Sequence, residues 1–288
     1  MVATLPKTAR TRSSEELWTE GRQYLAGTDW PAAAARAGEL AGAALACNIG
    51  WLAGEATDAH TAAAHTVRYA RLAGLLGRLP ATTWLEADAP HLGVDLGSEV
   101  CLRNLRAVAS RLPAGRLIQI GAEDAGRTDV VLDTVLAAHR EGLPVRATVQ
   151  ANLHRSEQDV DRIVREGCPV RLVKGGFRET PELALQNPAL IDAAYARLAR
   201  RLARARVPLT LATHDARMWQ RLLLPDLPGV SVELLLGVLP EEALRLRRSG
   251  VPVRLYVPFG TDWQGYVAKR VSDAEAVRAR ESRAKEAS

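Results

Sequence analysis

The chain has 288 residues, 47% of them hydrophobic and 25% charged, which is enough to bury a large core as one big domain or two small ones. The formal net charge is +5, but the arginines are scattered along predicted helices and interleaved with Glu and Asp, which argues against a nucleic-acid partner. No apolar run reaches the ~18 residues of a membrane span or resembles a signal peptide, so we expect a cytoplasmic protein.

Two helices are predicted before the repeating part of the chain. The segment SSEELWTEGRQYLA opens with a Ser-x-x-Glu-like capping pattern, and DWPAAAARAGELAGAAL has Asp29 as N-cap with Pro31 just inside. We assign residues 1–44 to an N-terminal helical extension that packs on the following domain.

From about residue 45, short apolar runs of strand length alternate with longer segments of helical periodicity. The runs are AALACNIGW, TWLEAD, RLIQIGAE, VRATVQA, VRLVKG, LTLATH, SVELLLG and VRLYVPFG. The helical segments are predicted to begin near Asp58, Ser98, Thr128, Ser156, Pro181, Ala216, Pro240 and Asp262. Eight such repeats favour a closed (β/α)8 TIM-like barrel over residues 45–275. An open doubly wound sheet is the alternative, but no G-x-G-x-x-G follows the first strand to support it.

The end of the chain differs from the repeats. Residues 276–288 belong to a highly charged segment with almost no apolar stripe, which predicts a solvated helix extension or a frayed end. The three cysteines, Cys47, Cys101 and Cys168, are far apart and form no C-x-x-C pair. They fit a reducing compartment and predict no structural metal.

Polar residues follow most of the predicted strands, where a barrel builds its active site. They are Asp88, His91, Glu123, Asp124, Gln150, Asn152, Arg171, Lys174, Thr213, His214, Glu233 and Tyr256. Structural roles stay open for several of them. Asp88, His91 and Asp124 are equally good loop or cap residues, Glu233 could pair with a strand cation inside the barrel, and Tyr256 could be core.

The stretch VRLVKGGFRE places two cations in and just after a buried strand. Strand alternation points Arg171 inward, while Lys174 falls where the strand gives way to Gly175 and Gly176. A buried cation needs an anionic or hydrogen-bonding partner, and a phosphate would serve, because glycines let backbone N–H groups approach it closely. The residues alone predict a phosphate-bearing ligand across strands 5 and 6, without separating a flavin from a sugar phosphate.

The order and spacing of several motifs resemble the proline dehydrogenase family. They are PHLGVDLGSEVCLRNLR, IGAEDAGRTDVVLD, QANLHRSEQDV, VRLVKGGF, LATHD, the strand-7 segment ending in Gly237, and LYVPFGTDWQGYVAKR, together covering about residues 45–272. The resemblance implies a (β/α)8 barrel that holds FAD without covalent attachment and oxidises proline to pyrroline-5-carboxylate. It also implies that hydride passes to the flavin and that electrons continue to a quinone or another acceptor.

The resemblance assigns a cofactor set that is largely intact. It implies a flavin-contacting Gln150, an Arg171 near the flavin, and a backbone contact at Ala122. Lys174, Gly175 and Gly176 match the family's Lys-Gly-Ala run along the cofactor. Thr213 and His214 match its Thr-His pair.

The substrate set implied by the resemblance is altered. The family's strand-2 Lys is Asp88 here, its strand-3 carboxylate is Gly121, and the Arg-Arg pair of its last helix is Lys269 and Arg270. Two further family tyrosines are replaced, by Asn152 and Phe177, while Tyr256 is kept. A carboxylate in place of a cation exchanges attraction of a bound carboxylate for repulsion, each up to about 4 kcal/mol at contact.

We therefore expect an FAD-dependent oxidoreductase that removes hydride from the carbon next to nitrogen of proline or, in the preferred form, of a modified proline or another secondary amine or imino acid. Arg270 would hold a carboxylate with Lys269 beside it, Asp88 would meet a cationic or hydroxyl group, and Tyr256 would pack on the ring. Arg171, Tyr256 and Asp88 are the predicted catalytic set. The alternatives are a plain proline dehydrogenase with a rearranged pocket and a redox-inactive barrel acting as a binding or partner subunit. The electron acceptor is left open between a quinone, oxygen and a partner protein, with membrane contact expected only through a quinone.

Overall fold

The computed structural model describes residues 12–222 and 230–286, and over 276–286 only the helical backbone. The predicted extension 1–44 and tail 276–288 are thus only partly covered. Eight parallel strands close into a barrel in sequence order, which confirms the predicted (β/α)8 fold. The strands are β1 Ala46–Trp51, β2 Thr83–Ala87, β3 Ile118–Ile120, β4 Val145–Gln150, β5 Val170–Val173, β6 Leu209–Ala212, β7 Ser231–Leu235 and β8 Val253–Phe259.

Two helices precede the barrel, and one helix follows each strand around its outside. They are α1 Ser14–Gly21, α2 Trp30–Gly42, α3 Ala59–Leu75, α4 Ser98–Ala109, α5 Thr128–Arg140, α6 Ser156–Glu166, α7 Pro188–Arg204, α8 Ala216–Leu222, α9 Pro240–Arg248 and α10 Gln264–Glu286. No helix among the described residues is both long and apolar enough to cross a membrane.

The predicted start of the seventh helix near Pro181 is wrong. Helix α7 begins at Pro188, after Asn187, whose side chain accepts the Ala189 N–H. The residues before it instead form a loop over the carboxyl ends of the strands. In this loop Ala184 forms a β-bridge with Leu153, and the Leu185 N–H donates to the Asn152 carbonyl at 2.8 Å.

The N-terminal helices have the predicted caps. Ser13 and Glu16 form a reciprocal capping box at the start of α1, and the Asp29 side chain accepts the Ala32 N–H at the start of α2. Between the two helices, the chain forms a β-bridge from Gly27 to Phe259 at the end of β8.

Helix α1 lies against α10. Leu17 and Tyr24 pack with Trp263, Val267 and Val271 in a small apolar cluster separate from the main core. The helices approach so closely at Gly21 that a side chain there would overlap Val267. The N-terminal segment therefore supports the last helix, which carries residues of the barrel mouth.

The two faces of the strands differ in character. Outward-facing residues such as Val170 and Leu172 are fully buried beneath the helices. The barrel interior, which commonly holds branched apolar side chains, is charged here, with Arg146 and Glu233 each at most 3% exposed. The guanidinium carbon of Arg254 lies 3.4 Å from the Trp84 ring centroid, so an aromatic ring covers part of this charge.

Candidate functional site

Arg171 is tied to two carboxylates inside the barrel. Its guanidinium contacts Glu86 of β2 at 2.8 Å and also pairs with Glu233 of β7. Glu233 pairs in addition with Arg146 at 2.5 Å, which bears out its expected role as partner of a strand cation. Inward-facing Arg171 thus has anionic partners from the protein itself. The inference that its burial calls for a ligand phosphate is corrected by this geometry.

The charges of this interior network are set by competition between burial and pairing. Burial raises the pKa of Glu86, and the ion pair with Arg171 offsets only part of the effect. Burial acts the same way on Glu233, but Arg171 and Arg146 together outweigh it and lower its pKa. Glu233 is therefore the firmly ionised centre of the network.

Lys174 is also neutralised within the protein. Its Nζ lies 2.5 Å from an Asp192 oxygen on α7 and 2.9 Å from an Asp215 oxygen after β6. Burial tends to raise the pKa of Asp215, but Arg217 and Lys174 outweigh it and lower the pKa to about 2. This second cation, like Arg171, needs no ligand for its charge balance.

A cavity of about 790 Å³ lies beside Lys174, within the usual ~300–1,000 Å³ range of ligand sites. Its walls include Gly175, Phe177 and Asp215, and the loop before α7 closes one side through residues 184–186. The exposed Arg178 also lines it and has no carboxylate partner among the described residues. The cavity therefore offers a cation to an incoming anion even though Lys174 is paired.

The loop after β5 is held close to β4. Gly175 has a φ of +150°, and a side chain there would overlap Asn152. The Gly176 N–H donates to Gln150 Oε1 at 3.0 Å, and Gln150 Nε2 donates to the Glu123 carbonyl at 2.7 Å. Asn152 Oδ1 is buried without a partner in the described part of the chain. This backbone cradle with an orphaned polar atom fits a polar ligand such as the cofactor expected there.

Thr213 and His214 sit at the end of β6 and serve the backbone. The Thr213 hydroxyl oxygen accepts the Asp215 N–H at 3.2 Å, and Leu235 N–H donates to His214 Nε2 at 3.1 Å. Burial and nearby Arg270 lower the pKa of His214 to about 4. The imidazole is therefore neutral, with Nδ1 left to carry its proton.

Asp88 fills space that Gly121 leaves open. A Cβ built at Gly121 would lie 2.7 Å from Asp88 Oδ1 and 4.0 Å from Glu123 Oε1. Glu123 is 9% exposed, and burial together with Asp88 raises its pKa to about 8. Neither carboxyl group makes an ion pair or a side-chain hydrogen bond within residues 12–222 and 230–275.

The turn that carries Asp88 is anchored from behind. The hydroxyl of buried Tyr69 lies 2.8 Å from His91 Nδ1, and His91 Nε2 lies 3.0 Å from the Ala53 carbonyl. Since the carbonyl can only accept, Nε2 carries the proton and Tyr69 donates to Nδ1. Asp124, by contrast, is a turn residue whose carboxylate accepts the Arg127 N–H.

Helix α10 brings aromatic and basic side chains to the barrel mouth. The Tyr266 ring lies 6.0 Å from that of Tyr256, and the Arg270 guanidinium carbon lies 5.5 Å from the Tyr266 ring. Arg270 pairs with Asp273 at 2.8 Å, while its Nε and the Tyr266 hydroxyl are buried without partners among the described residues.

Lys269 is directed differently from Arg270. Its Nζ donates to the Gly176 carbonyl at 2.7 Å and lies 5.7 Å from the Phe177 ring centroid. Burial and the neighbouring Arg270 lower its pKa. Lys269 therefore closes α10 onto the glycine loop.

Several residues of the site escaped the sequence reasoning. Glu86 lies two positions before Asp88, so strand alternation could have indicated that both face the interior. Tyr266 lies one helical turn before Arg270, which was a usable signal as well. Asp192, the partner of Lys174, lies in the second turn of α7 and carries no local signal.

Comparisons with known proteins show what this chain is similar to. No family model matches the chain. It is 26% identical over 190 residues to "Proline dehydrogenase 2" of Bacillus subtilis and 28% identical over 200 residues to "Proline dehydrogenase 1" of the same strain. These matches cover 63% and 67% of the chain but 62% and 66% of the relatives, so the chain spans slightly less than two thirds of their length.

Solved structures show the same fold at lower identity. Proline utilization A of Bdellovibrio bacteriovorus, inactivated by N-propargylglycine, superposes with a TM-score of 0.78 at 16% identity, over 89% of this chain and 33% of that one. Proline utilization A of Corynebacterium freiburgense gives 0.74 at 16% identity, over 91% and 31%.

Proposed function

We propose that this chain, a divergent relative of the proline dehydrogenases, is an FAD-dependent oxidoreductase that removes hydride from the carbon next to nitrogen in a small amine or imino acid. The substrate is proline or, in our preferred form, a modified proline or another secondary amine. The observation that carries the proposal is the glycine cradle: Gly175 lines the cavity beside Lys174, and the Gly176 carbonyl accepts from Lys269 of α10.

The cofactor is proposed to lie along the ends of β4, β5 and β6. Lys174, Gly175 and Gly176 would follow its length with Gln150, and Arg178 would meet negative charge in the cavity. Ala122, Arg171, Thr213 and His214 complete the proposed set. FAD, when bound, would supply the hydride acceptor.

Substrate recognition is proposed for the mouth. Tyr256 would pack on the substrate ring, and Asp88 would face a cationic or hydroxyl group. Arg270 offers an unpartnered Nε for a carboxylate, with Lys269 beside it on α10. Arg171 would hold fixed positive charge under the reacting atoms, because its two carboxylate bonds fix its guanidinium plane.

We propose residues 45–275 as the flavin-binding unit, supported by the N-terminal helices, with electrons leaving to a quinone, oxygen or a partner protein. The rate at which oxygen and a soluble quinone reoxidise the reduced protein is compared at equal concentration. Fast reoxidation by one of them identifies it as the acceptor, and slow reoxidation by both indicates a partner protein.

Cofactor binding tests the proposal directly. The purified chain is titrated with FAD while the visible spectrum and flavin fluorescence are recorded. We expect saturable uptake that Gly175→Val abolishes, because a side chain at 175 overlaps Asn152. Arg197→Ala, which removes an exposed pair with Glu157, is the matched control and should leave uptake intact. A folded chain that takes up no FAD would contradict the proposal and favour a redox-inactive binding subunit.

A further inference from the structure

The β2–β3 side of the mouth carries carboxyl groups that no cation among the described residues contacts. The Asp88 carboxylate occupies the space that a side chain at 121 would need, and Glu123 lies next to it. Glu123 is only 9% exposed, and its carboxyl group has no side-chain partner among the described residues. Two neighbouring carboxyl groups that receive no side-chain donor from the described residues indicate a place for a donor group of a ligand.

The opposite side of the mouth is poor in free cations for a ligand carboxylate. Lys269 is held by the Gly176 carbonyl, and Arg270 already pairs with Asp273. Arg171 is shared between Glu86 and Glu233 deep in the interior. Among the described residues, what remains toward the mouth is one cationic donor, Arg270 Nε, and the neutral Tyr266 hydroxyl.

We infer that the site selects a protonated cyclic secondary amine whose carboxylate is absent or masked as an amide or ester, with the ammonium held by Asp88 and Glu123. The inference rests on the proposed function and narrows its substrate class. The ring ammonium would give one proton to the carboxyl pair and the adjacent carbon would give hydride to bound FAD, so that the C–N bond becomes the C=N bond of an iminium ion. The carboxylate of a free imino acid would be repelled by Asp88. The cation left to pair with it is Arg270, which already pairs with Asp273.

Three amines with the same five-membered ring test this selectivity: L-proline, its near-isosteric amide L-prolinamide, and unsubstituted pyrrolidine. Anaerobic reduction of the FAD-loaded chain is followed at the flavin absorbance band, and binding is measured separately by calorimetry on the same protein. We expect kcat/KM and affinity for L-prolinamide and pyrrolidine to exceed those for L-proline by 10-fold or more.

Substitutions at Asp88 assign the selectivity to this carboxylate. Asp88→Asn should reduce the preference for L-prolinamide over L-proline at least 10-fold, and Asp88→Lys should reverse it. Glu157→Gln, which removes the same charge from the surface, should change nothing. Circular dichroism and FAD content show whether each variant is folded. If Asp88→Lys does not fold, the result for Asp88→Asn is the test.

The outcomes separate this inference from the proposed function. Preference for L-proline in the unsubstituted chain, or a preference that Asp88→Asn leaves unchanged, would overturn the inference alone. Failure to take up FAD would overturn the proposed function, and calorimetry would still report whether the mouth prefers the carboxylate-free amines.

Discussion

The two sides of the barrel mouth differ in how their charges are paired. On the β5–β6 side, Arg171 and Lys174 each contact two carboxylates. On the β2–β3 side, Asp88 and Glu123 lie together without an ion pair among the described residues. A buried charge with no partner is costly, whereas a paired one is close to neutral in its net effect.

The sequence drew attention to the buried cations as the sign of a ligand, whereas the structure draws it to the acidic pair. The conspicuous cations of VRLVKGG are balanced by the protein itself, so their burial is no evidence for a ligand. The pair formed by Asp88 and Glu123 has no cation among the described residues, and Glu123 avoids a second charge by keeping its proton up to a pKa of about 8. A ligand cation there would favour the ionised form of Glu123. The acidic side is therefore where we expect a ligand cation, and the glycine cradle on the basic side is where we expect the cofactor.

Removing the central carboxylate of the paired side should have the largest effect on stability. Glu233→Gln leaves Arg146 and Arg171 without their shared anion, and breaking a buried pair in this way typically costs about 3–5 kcal/mol. Urea unfolding at pH 7 measures the loss. Glu157→Gln breaks an exposed pair and should cost less than about 1 kcal/mol. Equal losses in the two variants would mean that the interior network is not held by Glu233.

The unpaired side should reveal itself through pH. The pKa of Glu123 is raised to about 8, above the ~4.3 of a free Glu, so the folded protein binds a proton more tightly than the unfolded one. Its contribution is fully present below the unfolded pKa and is lost as pH rises through 8. Between pH 5 and pH 8 the loss is about 3 kcal/mol. Glu123→Gln should remove it.

Urea unfolding of both proteins at the two pH values measures this difference. The free energy of unfolding of Glu123→Gln, relative to that of the unsubstituted chain, should rise by about 3 kcal/mol between pH 5 and pH 8. Asp124→Asn, one residue away in an exposed turn, should show no such gain. Parallel pH profiles for Glu123→Gln and the unsubstituted chain would show that Glu123 is not held protonated.

The fold was readable from the sequence because its signals are local. Eight apolar runs with intervening helical periodicity suffice to indicate the barrel, and the caps at Ser13 and Asp29 follow from nearest neighbours. The start of α7 was predicted too early because a proline such as Pro181 is common in the first turn of a helix. The backbone after it instead bonds to a neighbouring loop, where the Leu185 N–H donates to the Asn152 carbonyl. The charge pairing was out of reach for another reason. Arg171 meets Glu86 and Glu233 only when the barrel closes, so the pairing depends on register across strands far apart in sequence.

Two buried tyrosines allow a fine test of whether the acidic side is positioned independently of the basic side. Tyr69 donates to His91 behind the Asp88 turn, and Tyr195 donates to the Leu172 carbonyl behind β5 at 3.1 Å. Each Tyr→Phe change removes one buried hydrogen bond and should cost about 1–2 kcal/mol by urea unfolding. Similar losses are expected because both side chains are fully buried.

The two variants should part in ligand selectivity. Tyr69→Phe frees the turn that holds Asp88, so the preference for L-prolinamide over L-proline should fall several-fold, seen as a higher KM for the amide with little change in kcat. Tyr195→Phe should keep the preference while losing the same stability. If both variants lose selectivity equally, the two sides of the mouth act as one unit, and the carboxyl pair depends on the whole barrel rather than on its own anchor.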